Sequence, residues 1–176
     1  GRSLVEGIVR GSAEANIADK GWAFCCYDDA VTPTGAADVF CRIANISSDN
    51  FIVTKVVGRS ATADLWTLQT TANYTSATSH ADGPTPTNLR ADKATSNLFS
   101  AKGTFESDVD ITGDAGSQII GRYNIPILGA EIENANGMPL AVIPPGYSFL
   151  LEAVTGSFAV SYEVYGYFDQ VPHVTD

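Results

Sequence analysis

The sequence predicts an all-β fold, an antiparallel β-sandwich or jelly-roll-like barrel with a long polar loop and extended termini. The first observation is a series of about nine short segments rich in β-branched and aromatic residues, bounded by Gly, Pro, Asn, Asp or Ser. The second is that two apolar segments near the end of the chain flank Thr155-Gly156, which predicts a hairpin turn. The third is that no segment keeps a 3.6-residue apolar period long enough for a crossover helix.

The predicted elements follow one another along the whole chain. In order, the predicted strands are Leu4–Val9, Trp22–Tyr27, Val39–Ile46, Phe51–Val57, Ala63–Gln69, Gln118–Leu128, Leu140–Ile143, Tyr147–Val154 and Phe158–Phe168. Two further segments, Ala13–Lys20 and Asn88–Asn97, predict a turn or two of helix, the second on the surface.

Alternation within two of these strands predicts which side chains are buried. In residues 51–57 both faces are mostly apolar, as is typical of a central strand. In the last strand, Phe158, Val160, Tyr162 and Val164 share one face, opposite a mixed face of small, charged and aromatic residues. We expect this apolar face to lie in the core.

The chain is interpreted as one domain with irregular ends. Residues 1–21 form an N-terminal arm or edge strand, residues 22–168 a single β-sandwich domain, and residues 169–176 a tail. The polar loop at about 70–97 is longer than most connections inside a compact domain. It is either an exposed arm that becomes ordered against a neighbouring subunit or a variable surface loop.

Composition excludes some classes of partner. The 176 residues are 44% hydrophobic, which is enough for one substantial core. Twenty acidic against ten basic side chains give a net charge of −10, which repels phosphate backbones, so we expect no nucleic-acid partner. No apolar run approaches the roughly 18 residues that cross a bilayer, so we expect no membrane segment.

The three cysteines leave two interpretations open. If residues 22–28 and 38–46 form a hairpin, Cys26 and Cys41 lie opposite each other and a disulfide between them is possible. Alternatively, the thiols are free and buried, the usual state of cysteine in a core.

Candidate metal ligands are few. His80 and His173 lie far apart, without the ligand spacing of a zinc site. Asp108, Asp110 and Asp114 alternate near a glycine and are the calcium candidates, although they lack the full spacing of the helix–loop–helix calcium motif. A solvated turn explains the same residues.

The sequence contains no recognisable catalytic or cofactor motif. It lacks a Gly-x-Ser-x-Gly elbow and a phosphate-binding glycine loop, so we expect neither an enzyme nor a cofactor. Two pairs of carboxylates, Glu131 with Glu133 and Glu152 with Glu163, keep a glycoside-acting enzyme as a remote alternative.

Aromatic residues are the remaining candidates for a binding surface. The candidates are Tyr74, Tyr162, Tyr165, Tyr167 and Phe168. Core packing, a subunit contact and sugar stacking are all compatible with them, because tyrosine combines an apolar body with a polar tip.

The segment from Val39 to Val57 (VFCRIANISSDNFIVTKVV), the Thr/Ala-rich region after it, and the closing IPPGYSFLLEA stretch with its aromatic strand carry a resemblance. Together they resemble the small β-sandwich structural proteins of tailed bacteriophages that decorate or cement the capsid. The resemblance implies a virion component at the capsid surface. It also implies a homo-oligomer, with a homotrimer favoured, and the major capsid protein or other virion subunits as partners.

Two functional hypotheses follow. The leading one is a non-enzymatic virion structural protein that decorates or cements a capsid through oligomeric surface contacts. The alternative is a glycan-binding β-sandwich module of a virion surface or of a secreted protein.

Overall fold

The protein is an antiparallel β-sandwich, which confirms the predicted fold class. The computed structural model describes residues 21–72, 81–94, 98–112 and 116–169. The described residues form eleven strands: β1 (Ala23–Val31), β2 (Asp38–Asn45), β3 (Asn50–Ser60), β4 (Asp64–Thr71), β5 (Thr87–Asn88), β6 (Gly103–Ser107), β7 (Gln118–Ile125), β8 (Ala130–Glu133), β9 (Ala141–Ile143), β10 (Ser148–Ala153) and β11 (Val160–Asp169). Helical residues among them are confined to the 3-10 turns Ala91–Lys93, Phe99–Ala101 and Ala135–Gly137.

The strands form two sheets. In the first sheet the order is β5-β1-β11-β3, and both β8 and β9 pair with the far side of β3. In the second sheet the order is β6-β2-β10-β4-β7. The strand β3 is therefore central, as its two apolar faces predict.

Aromatic side chains fill the space between the sheets. Four phenylalanine rings contact one another with centroids between 4.8 and 6.1 Å apart: Phe24, Phe51, Phe99 and Phe168. Burying each ring contributes roughly 1.5–3 kcal/mol. Val160, Tyr162 and Val164 are buried in the same cluster, which confirms the predicted core face of the last strand, while Phe158 is half-buried.

The predicted hairpin at Thr155-Gly156 is wrong, because β10 belongs to the second sheet and β11 to the first. The turn instead carries the chain from one sheet to the other. It packs against the β1–β2 connection, where the Ser157 amide donates to the Pro33 carbonyl at 3.1 Å. Gly156 has φ 67°, and a Cβ there would lie 1.6 Å from the Gly35 oxygen. Glycine is required by this close approach.

The hairpin between residues 22–28 and 38–46, on which a Cys26–Cys41 disulfide was conditional, is not formed, since β1 and β2 lie in different sheets. Cys26 and Cys41 come from opposite sheets and belong to the same buried cluster. Both thiols, and that of Cys25, are free and buried, which confirms the interpretation without a disulfide. Burial raises the pKa of the Cys26 and Cys41 thiols well above the usual value.

Part of the polar loop 70–97 covers edges of the sandwich. Within residues 81–94, Asp82 forms a β-bridge to Glu106 at the free side of β6, and β5 pairs with β1. The described end of the loop therefore lies along one edge of each sheet. That the loop becomes ordered against a neighbouring subunit stays a prediction. Residues 73–80 lie outside the described part of the chain.

The other predicted elements are mostly present. Eight of the predicted strands are found, whereas β5, β6 and β8 were not predicted. In residues 88–94, the described part of the predicted helix Asn88–Asn97, the helical residues form one 3-10 turn, and residues 95–97 lie outside the described chain. The predicted elements Leu4–Val9 and Ala13–Lys20 lie outside the described residues, as do the arm before Gly21 and the tail after Asp169.

A connecting segment crosses the outer face of the second sheet. Because β6 and β7 are at opposite edges of this sheet, the chain between them passes over the strands. We call its described residues, 108–112 and 116–117, the strap. The Ile111 amide donates to the Val39 carbonyl at 2.8 Å, and these two residues bury Leu150 in a second apolar cluster.

The strap also encloses polar groups. Arg42, which is fully buried, donates from Nε to Glu106 Oε2 at 2.5 Å and from Nη1 to the Thr112 carbonyl at 3.2 Å. At the other end of the strap, Ser117 Oγ donates to Gln69 Oε1 at 2.6 Å. The outer face of the second sheet, which we call the covered face, is therefore buried by the protein's own chain.

Candidate functional site: the open face of the first sheet

The outer face of the first sheet carries side chains that project to solvent. Since Tyr162, Val164 and Phe168 point into the core, the residues between them on β11 point outward. We call this surface the open face, and its exposed or half-buried side chains are Tyr27, Lys55, Val57, Arg59, Glu131, Glu133, Ser161, Glu163, Tyr165 and Tyr167.

Strand pairing arranges these side chains in rows across the sheet. One row runs from Cys25 through Tyr165 and Lys55 to Glu133, over four neighbouring strands. The next row runs from Tyr27 through Glu163 and Val57 to Glu131. Directly opposed side chains in a sheet lie about 4.5–5.5 Å apart at Cβ, so each row is a continuous contact surface.

Tyr165 is held at the centre of the open face. Its hydroxyl donates to Glu163 Oε2 at 2.7 Å, and the Lys55 ammonium lies 5.0 Å from the centroid of its ring. Lys55 also lies 3.9 Å from Glu131 Oε1, a surface pair of the kind that contributes about 0–1 kcal/mol. The Tyr165 side chain is thus held by Glu163 of its own strand and by Lys55 of β3.

The electrostatics of the open face raise the pKa of the Tyr165 hydroxyl and of the Cys25 thiol. The hydrogen bond to Glu163, followed by desolvation, raises the pKa of Tyr165. Desolvation by burial, followed by the charge of Glu163, raises the pKa of Cys25 to about 11. A nucleophile or general base at neutral pH needs a pKa shifted toward that range. The pKa values of these two groups are shifted the other way, so neither is poised as a nucleophile or general base at neutral pH.

Two of the predicted interface residues lie on the open face. Tyr165 and Tyr167 are half-buried there. Tyr162 and Phe168 are only 2% and 1% exposed, so the prediction of an exposed cluster is corrected for both. Tyr74 lies outside the described residues.

Tyr162 has a structural role instead of an interface role. Its hydroxyl donates to Ser107 Oγ on β6 at 2.6 Å, which links the two sheets inside the core. Burial, followed by the neighbouring Cys41, raises the pKa of this hydroxyl. The alternation that placed Tyr162 with Val160 and Val164 was the correct signal.

The calcium candidates do not come together as a site in the described residues. Asp108 lies at the start of the strap, where its carboxylate accepts hydrogen bonds from the Ala81 and Val109 amides at 3.0 and 2.7 Å. Asp110 is exposed, and Asp114 lies outside the described residues. The part of the chain that the structure describes has no group of three or more His, Cys, Asp or Glu side chains placed to hold a metal.

The carboxylate pairs are separated by the fold. Glu152 lies on the covered face, where it accepts a hydrogen bond from Thr67 Oγ1 at 3.0 Å, whereas Glu163 lies on the open face. This pair is on opposite sides of the sandwich. Glu131 and Glu133 share the open face at the edge strand β8, and both are exposed.

One cleft lies at the end of the sandwich near the polar segment. Its volume is about 310 Å³, and its lining residues are Asp82, Gly83, Thr85, Pro86, Phe99, Ser100, Gly103, Thr104 and Phe105. Asp82 is the single titratable side chain among these residues. The described lining of the cleft therefore offers one carboxylate and the hydroxyl groups of Thr85, Ser100 and Thr104.

Comparison with known protein families, with curated proteins and with solved structures gives no match for this chain. In the described residues, the structure contains no helix with the length and apolar character needed to span a membrane. The open face is therefore characterised from the structure of this chain alone.

Sequence reasoning missed the cross-strand neighbours of the two tyrosines. Tyr27 and Lys55 come from the strands on either side of β11, and the pairing that joins them to β11 links residues more than a hundred positions apart. Glu163 lies on β11 itself, and alternation placed it on the face of Tyr165. The available signal was alternation alone, which marks the outward residues of each strand and leaves their partners undetermined.

Proposed function

We propose that this protein is a non-enzymatic structural component of a virion. In this role it decorates or cements the capsid surface of a tailed bacteriophage and binds the major capsid protein or another virion subunit. The observation that carries the proposal is the open face, where Tyr165 and Tyr167 stand on a central strand of the first sheet. The resemblance of the sequence to capsid-decorating proteins supplies the class of partner.

The chemistry of the open face supports binding to a protein surface. Tyrosine is enriched in protein interfaces because it buries a large ring and still satisfies a hydroxyl. Tyr165 is already positioned by Glu163 and Lys55, so little side-chain entropy is lost when a partner packs on it. The side-chain entropy of Tyr165 is therefore lost during folding, before a partner binds.

Charge supports a partner of opposite sign. The chain has a net charge of −10, and Glu131, Glu133 and Glu163 outnumber Lys55 and Arg59 on the open face. Complementary charge steers association and fixes the orientation of the two surfaces. We expect the shell surface under this protein to be basic, and its binding to weaken as salt screens that attraction.

The test is binding to shells that lack the protein. Purified protein is added to such shells, and the bound amount and the heat and salt resistance of the shells are measured. We expect saturable, stoichiometric binding and more resistant shells. The double variant Tyr165→Ala/Tyr167→Ala should bind at least tenfold less tightly, whereas Tyr147→Ala, which removes an exposed tyrosine elsewhere, should bind normally. Unchanged shell resistance in the presence of the protein would remove the cementing role.

A glycan ligand for the same face has one observation in its favour. A hollow of about 120 Å³ on this face is lined by residues that include Asp29, Arg59, Ser161 and Glu163, which offer hydrogen-bond donors and acceptors. Glu163 also accepts the hydrogen bond of the Tyr165 hydroxyl. Sugar hydroxyls need such groups next to an aromatic surface. A glycan array distinguishes the two functions: saturable binding that Arg59→Ala abolishes supports a glycan-binding module, and silence across the array removes it.

A further inference from the structure

The connection between β8 and β9 contains the one Asn-Gly pair of the chain, Asn136-Gly137. Each of the other eight asparagines is followed by a residue with a side chain, which is Ala, Ile, Leu, Phe or Tyr. The backbone nitrogen that follows an asparagine can attack its side-chain amide carbon, and a Cβ on the following residue obstructs that approach. Because glycine has no Cβ, Asn136 is the asparagine at which this attack meets the least obstruction.

The structure leaves this pair open to solvent. Asn136 and Gly137 lie in the 3-10 turn Ala135–Gly137, and both are exposed. Both have left-handed backbone conformations, with φ 64° for Asn136 and 70° for Gly137, which these two residue types tolerate best. A Cβ built on Gly137 would meet no heavy atom within 4 Å beyond its chain neighbours. Within the described residues, Gly137 therefore has no packed neighbour to stop the backbone rotation that brings its nitrogen to the Asn136 side chain.

Asn134 is a matched neighbour in the same connection. It is exposed as well, but Ala135 follows it, and its backbone is extended with φ −81° and ψ 142°. Its side-chain nitrogen donates to the Pro139 carbonyl at 2.8 Å. The two asparagines therefore differ in the residue that follows and in backbone conformation, while their exposure to solvent is alike.

We propose that Asn136 is a site of spontaneous deamidation in the folded protein. The Gly137 nitrogen gives up its proton to solvent base and forms a bond to Asn136 Cγ. The bond from Cγ to Nδ2 breaks, and the departing nitrogen takes up a proton and leaves as ammonia. Water then opens the resulting five-membered imide at one of its two carbonyl groups, which gives aspartate or isoaspartate. Nothing is oxidised or reduced, and solvent water is the only other reactant.

The product adds a carboxylate at the edge of the first sheet. The strands β8 and β9 both pair with β3, and Glu131 and Glu133 of β8 are already exposed. Each conversion makes the net charge of −10 more negative by one unit. Isoaspartate also adds a methylene group to the backbone of the turn. The protein therefore becomes more acidic beside the open face as it ages.

The experiment is peptide mass spectrometry of the full folded chain, sampled during incubation at physiological temperature. Replacement of the side-chain NH₂ by OH adds about one mass unit, and fragment ions assign it to Asn136 or to Asn134. We expect this change to be at least tenfold faster at Asn136. The rate should be higher at mildly alkaline than at mildly acidic pH, because the attacking nitrogen must lose its proton.

Two glycine variants separate the chemistry from a general change in the turns. Gly137→Ala should slow the reaction at Asn136 at least tenfold, because the new Cβ obstructs the attack. Gly146→Ala is the matched control: Gly146 is exposed, has φ 80° and also has open space at its Cβ position, but it follows a proline. This variant should react at Asn136 as the wild type does. Circular dichroism establishes that both variants are folded.

Three results would each overturn the proposal. They are equal rates at Asn136 and Asn134 in the wild type, an unchanged rate in Gly137→Ala, and a reaction at Asn136 that occurs in urea and is absent from the folded protein. The measured quantity is a mass change in the free protein, so failure here leaves the capsid proposal standing.

Discussion

The two outer faces of the sandwich differ in how the chain treats them. On the covered face, the strap buries the apolar side chain of Leu150 and the charged side chain of Arg42. On the open face, the corresponding central strand β11 presents Tyr165 and Tyr167 half-exposed. The inner faces of both sheets are apolar. The outer faces differ because the strap covers the outer face of the second sheet.

Because of this difference, we expect the covered face to contribute to stability and the open face to recognition. Residues under the strap have their hydrogen-bond partners within the chain, so changing them leaves unsatisfied buried groups. Residues of the open face make few contacts with one another, and their outer surfaces are exposed to solvent. We therefore expect substitutions on the covered face to change the free energy of unfolding, and substitutions on the open face to change binding.

The largest expected effect is the loss of the buried ion pair. Arg42→Ala leaves the Glu106 carboxylate buried without its cation, which should lower the free energy of unfolding by about 3–5 kcal/mol. The double replacement Arg42→Met/Glu106→Leu removes both charges and should cost less than either single change. Urea unfolding measures both. A single variant as stable as the wild type would show that the strap does not bury this pair in solution.

A smaller effect should follow from cutting apolar side chains on the two faces. Leu150→Ala removes a fully buried side chain under the strap and should cost about 2–5 kcal/mol. Val57→Ala removes a half-buried side chain from the open face and should cost about 1 kcal/mol or less. Thermal or urea unfolding of the two variants compares the faces directly. Equal losses would mean that the open face is covered as well.

The sandwich itself was predictable because alternation is a local property. The pattern in Phe158–Phe168 identified a strand and its core face from neighbouring residues alone. The sheet to which a strand belongs is a non-local property, and for this reason the hairpin prediction at Thr155-Gly156 was wrong. Thr155-Gly156 resembles a hairpin turn in sequence, yet Gly156 is needed where the turn passes within van der Waals distance of Gly35.

Alternation could not predict the missed strands or the burial of the covered face. The edge strand β5 is two residues long within a polar segment, so it has no apolar alternation to detect. The buried charge of Arg42 lies between Cys41 and Ile43. It is acceptable there because Glu106 on β6 and the Thr112 carbonyl of the strap, both distant in sequence, accept its hydrogen bonds. The tyrosines of the open face were predicted as candidates, but their neighbours depend on strand pairing.

On the open face, small effects on stability should accompany large effects on binding. Tyr165→Phe removes one exposed hydrogen bond to Glu163 and should change the free energy of unfolding by about 0.5–1 kcal/mol at most. Shell binding should fall clearly more for Tyr165→Ala, which also removes the ring held by Lys55. Parallel urea unfolding and shell-binding assays separate the two quantities. A variant that loses stability and binding together would place Tyr165 in the scaffold.

The smallest expected effect at neutral pH belongs to Cys25, whose thiol lies under Tyr165 and Glu163. Its pKa rises to about 11 in the folded protein, against about 9 when unfolded. Between these values the unfolded thiol has lost its proton and the folded one has kept it, so stability falls as the pH rises from 9 towards 11. Cys25→Ser should match the wild type near pH 7 and lose less stability over that window. Urea unfolding from pH 7 to 11 measures the difference, and parallel curves would show that the open face leaves this thiol unperturbed.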